Sequence, residues 1–166
     1  MTTNAIYYKP GTSVTFIDSG GDVVFTLNDT VDLGDGQVSD QWDRGAASLP
    51  CLYKWEAYIK WVATPALGDT VRIYLHDSYI AAAAGDLVAD AAVTPETKFG
   101  NFRLIGQTIC SVAADQVFYG TGLVCIFGRY VNLGVWNGSA TKDLNATAHA
   151  SKIVLTPFYP DIQAAA

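Results

Sequence analysis

From residue 51 to residue 63 every odd position is apolar or aromatic: Cys51, Tyr53, Trp55, Ala57, Ile59, Trp61 and Ala63. Lys54, Glu56 and Lys60 take even positions, with Tyr58 and Val62 between them. Successive strand side chains point to opposite faces, so this period of two predicts one long strand with a buried face and a wetter one. In a helix the three charges would scatter around the axis and leave no continuous apolar stripe. Trp55 and Trp61 are expected in the core.

The same alternation returns in residues 70–76, where Val71, Ile73 and Leu75 oppose Arg72, Tyr74 and His76. Following a turn at 64–69, this run is expected to pair with the first as its neighbour in the sheet. Residues 13–17 and 22–28 are β-rich and flank the turn sequence DSGG, which predicts a hairpin. Residues 29–45 read as a long polar connection broken by Gly34, Gly36 and Gly45. Further strands are expected at 101–112 and 122–136, the latter with Gly128 and Gly134 marking a bulge or a close backbone approach. A last strand at 151–160 is expected to be closed by Pro157 and Pro160. The Ala-rich run 80–93 is broken by Gly85 and reads as a loop with one helical turn, part of a long insertion around residues 78–98. In the 94–100 turn, Thr94 and Pro95 are placed like the start of a short helix. Seven or eight short strands without a confident helix predict an all-β, single-domain β-sandwich of jelly-roll type over residues 13–163. Residues 1–12 precede it as an N-terminal arm.

Composition narrows the partners. Half of the 166 residues are hydrophobic, 16% are charged, and the mean hydropathy is +0.19. That is too apolar for disorder and suggests a surface partly covered by a partner. A net charge of -6 and ten scattered Lys and Arg argue against nucleic acid, which needs clustered cations. No apolar run reaches membrane-spanning length, and no secretory leader is visible at the start, so synthesis in a reducing cytosol is expected. Cys51, Cys110 and Cys125 show no CxxC pair and read as buried free thiols on strands, with one disulfide plus a spare thiol as the alternative. The sequons at Asn28, Asn137 and Asn145 read as turn residues.

Candidate chemistry is sparse. His76, Asp77 and Ser78 are consecutive, and neighbours on a strand end point apart, so they form no relay. His149 reads as exposed or structural. Asp29, Asp32, Asp35, Asp40 and Asp43 crowd one stretch and raise calcium, but DLGDGQ lacks alternate-residue ligand spacing, and solvated loop carboxylates are the plainer reading. Glu56 and Glu96 are the only glutamates, and nothing pairs either with a second acid for glycoside hydrolysis. No catalytic residue, cofactor or metal ligand is assigned. Trp42 remains, in the polar SDQWDRG beside Arg44, either as an exposed anchor or as a lid on the sandwich. Ile6, Tyr7 and Tyr8 form an extended segment that docks on a neighbour or serves as an ordinary sheet edge.

The run SLPCLYKWEAYIKWVATPALGDTVRIYL, followed by FRLIGQTI, GRYVNLGVWNGSA and SKIVLTPFYPDIQ, resembles small virion structural proteins of tailed bacteriophages. Some of these decorate or cement the capsid. The resemblance covers about residues 48–163. It implies a non-enzymatic β-sandwich on the outside of the head, forming a homotrimer and binding the major capsid protein; from the residues themselves, Ile6, Tyr7, Tyr8, Trp42 and Arg44 are the interface candidates. The Ala-rich run departs from the polar, Asp/Gly-rich loop expected after VRIYL. A tail or baseplate component is the alternative within that class. A carbohydrate-binding module using Trp42 or Tyr58, and a hydrolase with a cleft carboxylate pair, are the alternatives outside it.

Overall fold

Alternation in the sequence becomes burial in the fold: along Leu52–Lys60 each odd residue is buried and each even one half-exposed. The computed structural model describes residues 6–27, 34–46, 50–81, 90–110, 117–139, 142–145, 147 and 149–162. Its strands are β1 (Ile6–Pro10), β2 (Val14–Ile17), β3 (Val23–Val24), β4 (Gly36–Val38), β5 (Trp42–Asp43) and β6 (Leu52–Lys60). They continue as β7 (Thr70–Ser78), β8 (Ala91–Val93), β9 (Arg103–Ile109), β10 (Val117–Cys125), β11 (Tyr130–Asn137) and β12 (Lys152–Ile162). A 3₁₀ turn, Glu96–Phe99, follows Pro95, where the sequence predicts a short helix start.

One sheet runs β10-β6-β12-β2-β3, with β1 also on β12; the other runs β8-β4-β11-β7-β9, with β5 also on β11. The chain crosses repeatedly between the two, and the result is an all-β sandwich of jelly-roll type. The expected pairing of β6 with β7 does not occur, because they lie in opposite sheets. An apolar face looks the same in sequence whether its strand pairs sideways or packs across a core. Likewise residues 122–136 are not one strand but the end of β10 and the whole of β11, with the crossing at residues 126–129. Gly128 allows that crossing: a Cβ there would lie 2.3 Å from the Ser78 backbone nitrogen.

The hairpin expected at residues 13–28 is also absent. β2 and β3 pair in parallel, Phe16 opposite Val23. The Asp22 carboxylate accepts the Thr15 N–H at 2.7 Å and Gly20 takes φ +74°, so the connection loops fully round and rejoins in the same direction. The polar stretch 29–45 contains β4, which is buried throughout, and β5. β12 continues through both prolines. The Pro157 carbonyl accepts the Gly11 N–H, so its absent N–H would face the same side, where the neighbour changes from β2 to β1. Pro160 then turns its nitrogen to the other side, beyond the end of β6 pairing. Neither proline costs a ladder bond. Ile6–Pro10, expected within the arm, is thus a sheet strand, from Ile6 opposite Ile162 to Pro10 opposite Phe158.

Between the sheets Trp55 and Trp61 are buried together with Phe16, Ile59, Leu75 and Leu133. The Trp55 indole fills a slot left by glycines. A Cβ at Gly106, Gly120 or Gly122 would stand 2.2, 3.2 or 2.6 Å from it. A second, smaller cluster lies on the outer face of the second sheet, where Val93, Phe99 and Phe102 cover Val38 and Trp136. Gly134 makes room for it, since its Cβ would sit 2.4 Å from the Phe99 ring. Both glycine approaches expected in 122–136 are therefore real. The insertion around 78–98 supplies part of this cover; residues 82–89, the centre of the Ala-rich run, lie outside the described residues.

Tyr74 stacks on Phe99 at 4.7 Å and donates its hydroxyl to Glu96, which Arg72 grips through both carboxylate oxygens at 2.7 Å. Burial, then the bond to Glu96, pushes the Tyr74 phenol up to about 12. Burial alone would raise Glu96, but the Tyr74 hydroxyl and Arg72 outweigh it and hold the carboxyl below its ordinary value. The raised folded value means that Tyr74 favours folding below pH 10, and that this contribution is lost as pH rises from 10 to about 12. In an alkaline absorbance titration of the folded protein, one tyrosine is expected to ionise last, near pH 12, and Tyr74→Phe is expected to remove that step.

Candidate docking surface

Trp42 and Arg44 belong to the frame of one end of the sandwich. Trp42 is half-buried and meets Phe16 and Tyr53 edge-on at 6.1 and 6.2 Å, as a lid on the sandwich would. Arg44 lies over the Tyr53 ring at 4.9 Å and donates to the Tyr53 hydroxyl and to the carbonyls of Pro50, Ile126 and Gly128. Its guanidinium ties β5 to the 126–129 crossing. At the same end Tyr8, opposite Pro160, is 59% exposed. The backbones of Ile6 and Tyr7 pair with β12.

The largest exposed apolar side chains at this end were not singled out by the sequence. Tyr79 and Ile80, just past β7, are 74% and 72% exposed, and Phe127 in the crossing is 60% exposed. Asp77 organises them. Its Oδ2 accepts the N–H groups of Phe127 and Gly128 at 2.8 and 2.7 Å, while its Oδ1 pairs with Arg103 at 3.2 Å. Arg103 also donates to the Cys125 carbonyl. One carboxylate thus brings the segment carrying Phe127 against the segment carrying Tyr79 and Ile80. Polar bonds satisfy the backbone beneath, and three large apolar groups are left pointing at solvent. Exposed apolar groups of this kind make the end a candidate docking surface.

The remaining sequence candidates disperse. Asp35 accepts from the Thr94 hydroxyl, Asp40 from the Asp90 N–H at 2.8 Å, and Asp43 chelates Arg129 at 2.7 Å through two oxygens. Asn28, Asp29 and Asp32 lie outside the described residues. Among the described residues no three His, Cys, Asp or Glu converge to hold a metal. Of the three free thiols only Cys110 is buried; Cys51 and Cys125 are exposed, against expectation, because Cys51 lies just before β6 and Cys125 falls on the outward-facing positions of β10. His76 packs its ring at 5.3 Å from Phe102 and is held towards neutrality by burial.

His149 is the one histidine the fold joins to other polar groups. Its Nδ1 lies 3.0 Å from Asp18 Oδ1, and its Nε2 lies 3.5 Å from Ser19 Oγ, beside an open hollow of about 380 Å³. The order of atoms is that of a hydrolytic relay. But the second contact is too long for a firm bond, and Asp18 also accepts the backbone N–H groups of Ser19 and His149. Asp18 therefore acts as a loop clamp that holds His149 at φ 63°.

No protein-family model matches the chain, and no curated protein matches it. Among solved structures, murine APRIL is similar at a TM-score of 0.42 and 10% identity, over 93% of this chain and 98% of that one. Strand order and the exposed end together define the class: a jelly-roll β-sandwich whose most conspicuous surface feature is apolar. No helix among the described residues is long and apolar enough to cross a membrane.

Proposed function

We propose that this chain is a non-enzymatic structural protein of a tailed-phage virion that decorates the outer surface of the head, binding the major capsid protein and further copies of itself as a homotrimer. The observation that carries this reading is the exposed Tyr79, Ile80 and Phe127 end, held in shape by Asp77 and Arg103. The sequence resemblance over residues 48–163 supplies the kind of partner. Head shells repeat one surface many times at three-fold and quasi-three-fold positions. A small oligomer matched to that symmetry gains avidity without any single strong contact.

An apolar end makes the contact insensitive to salt, unlike one built on ion pairs. Purified protein is expected to bind preformed heads lacking it, and Phe127→Ala with Tyr79→Ala is expected to weaken binding more than about tenfold while circular dichroism is unchanged. Undiminished binding by that variant, or no binding by the parent, overturns the proposal. The outer face of the first sheet favours one second reading. Tyr119, 50% exposed, donates to Glu56 at 2.6 Å and packs at 5.2 Å from Tyr58, beside Lys54, which is the furniture of a sugar-stacking platform. Glycan binding lost in Tyr119→Ala would promote it.

A further inference from the structure

β10 is the long margin of the first sheet. It pairs with β6 through all of its residues and, among the described residues, with no other strand. Ladder parity shows which of its backbone groups face outward. The Ile126 N–H donates to the Cys51 carbonyl at 2.7 Å, and the register continues unbroken from Cys125 opposite Leu52. Even-numbered residues therefore point their N–H and C=O at β6, and odd-numbered residues point theirs away. Arg103 agrees with this parity, because it reaches the Cys125 carbonyl from outside the sheet. The main-chain groups of Tyr119, Thr121 and Leu123 are left facing the open edge.

Open edges are normally blunted by brevity, lysine, proline or a bulge. The other margins follow that practice: β3 has two residues, β8 has three, β1 carries Lys9 and Pro10, and β9 carries Arg103 and a register shift opposite Ile73 and Tyr74. β10, VFYGTGLVC, has none of these devices. On its outer face Val117, Tyr119 and Leu123 are 51%, 50% and 65% exposed.

The order of its residues identifies the occupant. Around Thr121 the strand reads alike in both directions, with Gly120 and Gly122, Tyr119 and Leu123, Phe118 and Val124, then Val117 and Cys125 at matching distances. We propose that β10 pairs antiparallel with β10 of a second copy about a two-fold axis through Thr121. Thr121 then faces Thr121, Tyr119 faces Leu123, and glycine faces glycine. Because Thr121 has odd parity, each of these odd pairs is a hydrogen-bonded pair, so the open amides and carbonyls are satisfied together. The strand bears no charge, so the axis brings no like charges together within it despite the chain's net -6. A two-fold contact at this edge leaves the other faces free, and doubles whatever stoichiometry they set. It does not depend on the head-surface reading.

Thr121→Cys tests the axis. Directly opposed residues of a hydrogen-bonded pair have Cα atoms about 5.5 Å apart, within disulfide range, so mild oxidation is expected to give a covalent dimer. Wild-type protein, whose exposed Cys51 and Cys125 lie off the axis, controls for random collision. Thr121→Pro tests the pairing itself. The Thr121 N–H points outward, so proline removes no backbone bond to β6 and loses only the Thr121 hydroxyl's bond to the Trp55 carbonyl at 3.0 Å, and circular dichroism is expected to be unchanged. Sedimentation equilibrium at high micromolar concentration is expected to show an even number of chains for the wild type and half that mass for Thr121→Pro. A wild-type monomer or trimer overturns the inference, as does a mass unchanged by a folded Thr121→Pro. Should Thr121→Pro unfold, Thr121→Cys decides, and cross-linking no faster than wild type overturns it.

Discussion

Replacing Trp55 with alanine is expected to cost about 3–5 kcal/mol of folding free energy, read from the shift of a urea unfolding curve. The indole is 3% exposed and sits in the middle of the core cluster. Its slot is walled by the backbone at Gly106, Gly120 and Gly122, and main chain held in two sheets cannot move in to fill the space. The cost is therefore transfer free energy plus an uncollapsed cavity. One sequence position away, Lys54→Ala is expected to be nearly neutral, since its 2.9 Å pairing with Glu56 is made at the surface. Equal losses at the two positions would mean that the face assignment of β6 is wrong. Trp55→Phe should lose less than Trp55→Ala, because the phenyl ring still fills most of the slot, and losing the indole Nε1, buried without a hydrogen-bond partner, breaks no bond.

Gly106→Ala is expected to cost about 1–3 kcal/mol for a single added methyl, because its Cβ would stand 2.2 Å from Trp55 Cζ2. The indole has no room to retreat, with Gly120 and Gly122 of β10 bounding the same ring. The double variant makes the cause testable. Once Trp55 is alanine the added methyl enters empty space, so Gly106→Ala should then be nearly harmless and the two changes strongly non-additive. Additive losses would place the need for glycine in the backbone of β9 beside its register shift, rather than in the ring.

Period-two alternation is a property of adjacent residues, and it was enough to place Trp55, Trp61, Val71, Ile73 and Leu75 on buried faces before any strand had a neighbour. It was also enough for the all-β class and, through Gly128 and Gly134, for two close approaches. It could not say that β6 and β7 lie in opposite sheets around one core, since a sideways partner and a partner across the core leave the same apolar mark. Nor could it say that Pro157 and Pro160 sit inside β12, because a proline's cost depends on which side its nitrogen faces and whether a strand is there. Trp42 looked equally fit for anchor or lid in sequence, and only the fold sets Phe16 and Tyr53 against it.

The candidate docking surface was out of reach for the same reason. Tyr79, Ile80 and Phe127 are unremarkable in sequence, and their segments are joined because Asp77 captures two amides fifty positions along the chain while Arg103 holds its other oxygen. The near-palindrome of β10 was written in the residues throughout, but it acquires meaning only once the strand is known to lie at an edge with its odd-numbered amides outward. Local chemistry by itself determined the inward face of the alternating strands and that the fold is built of strands. Tertiary structure decided which strands pair, which glycines are slots and which apolar groups remain outside, because those outcomes depend on contacts between residues far apart in the chain.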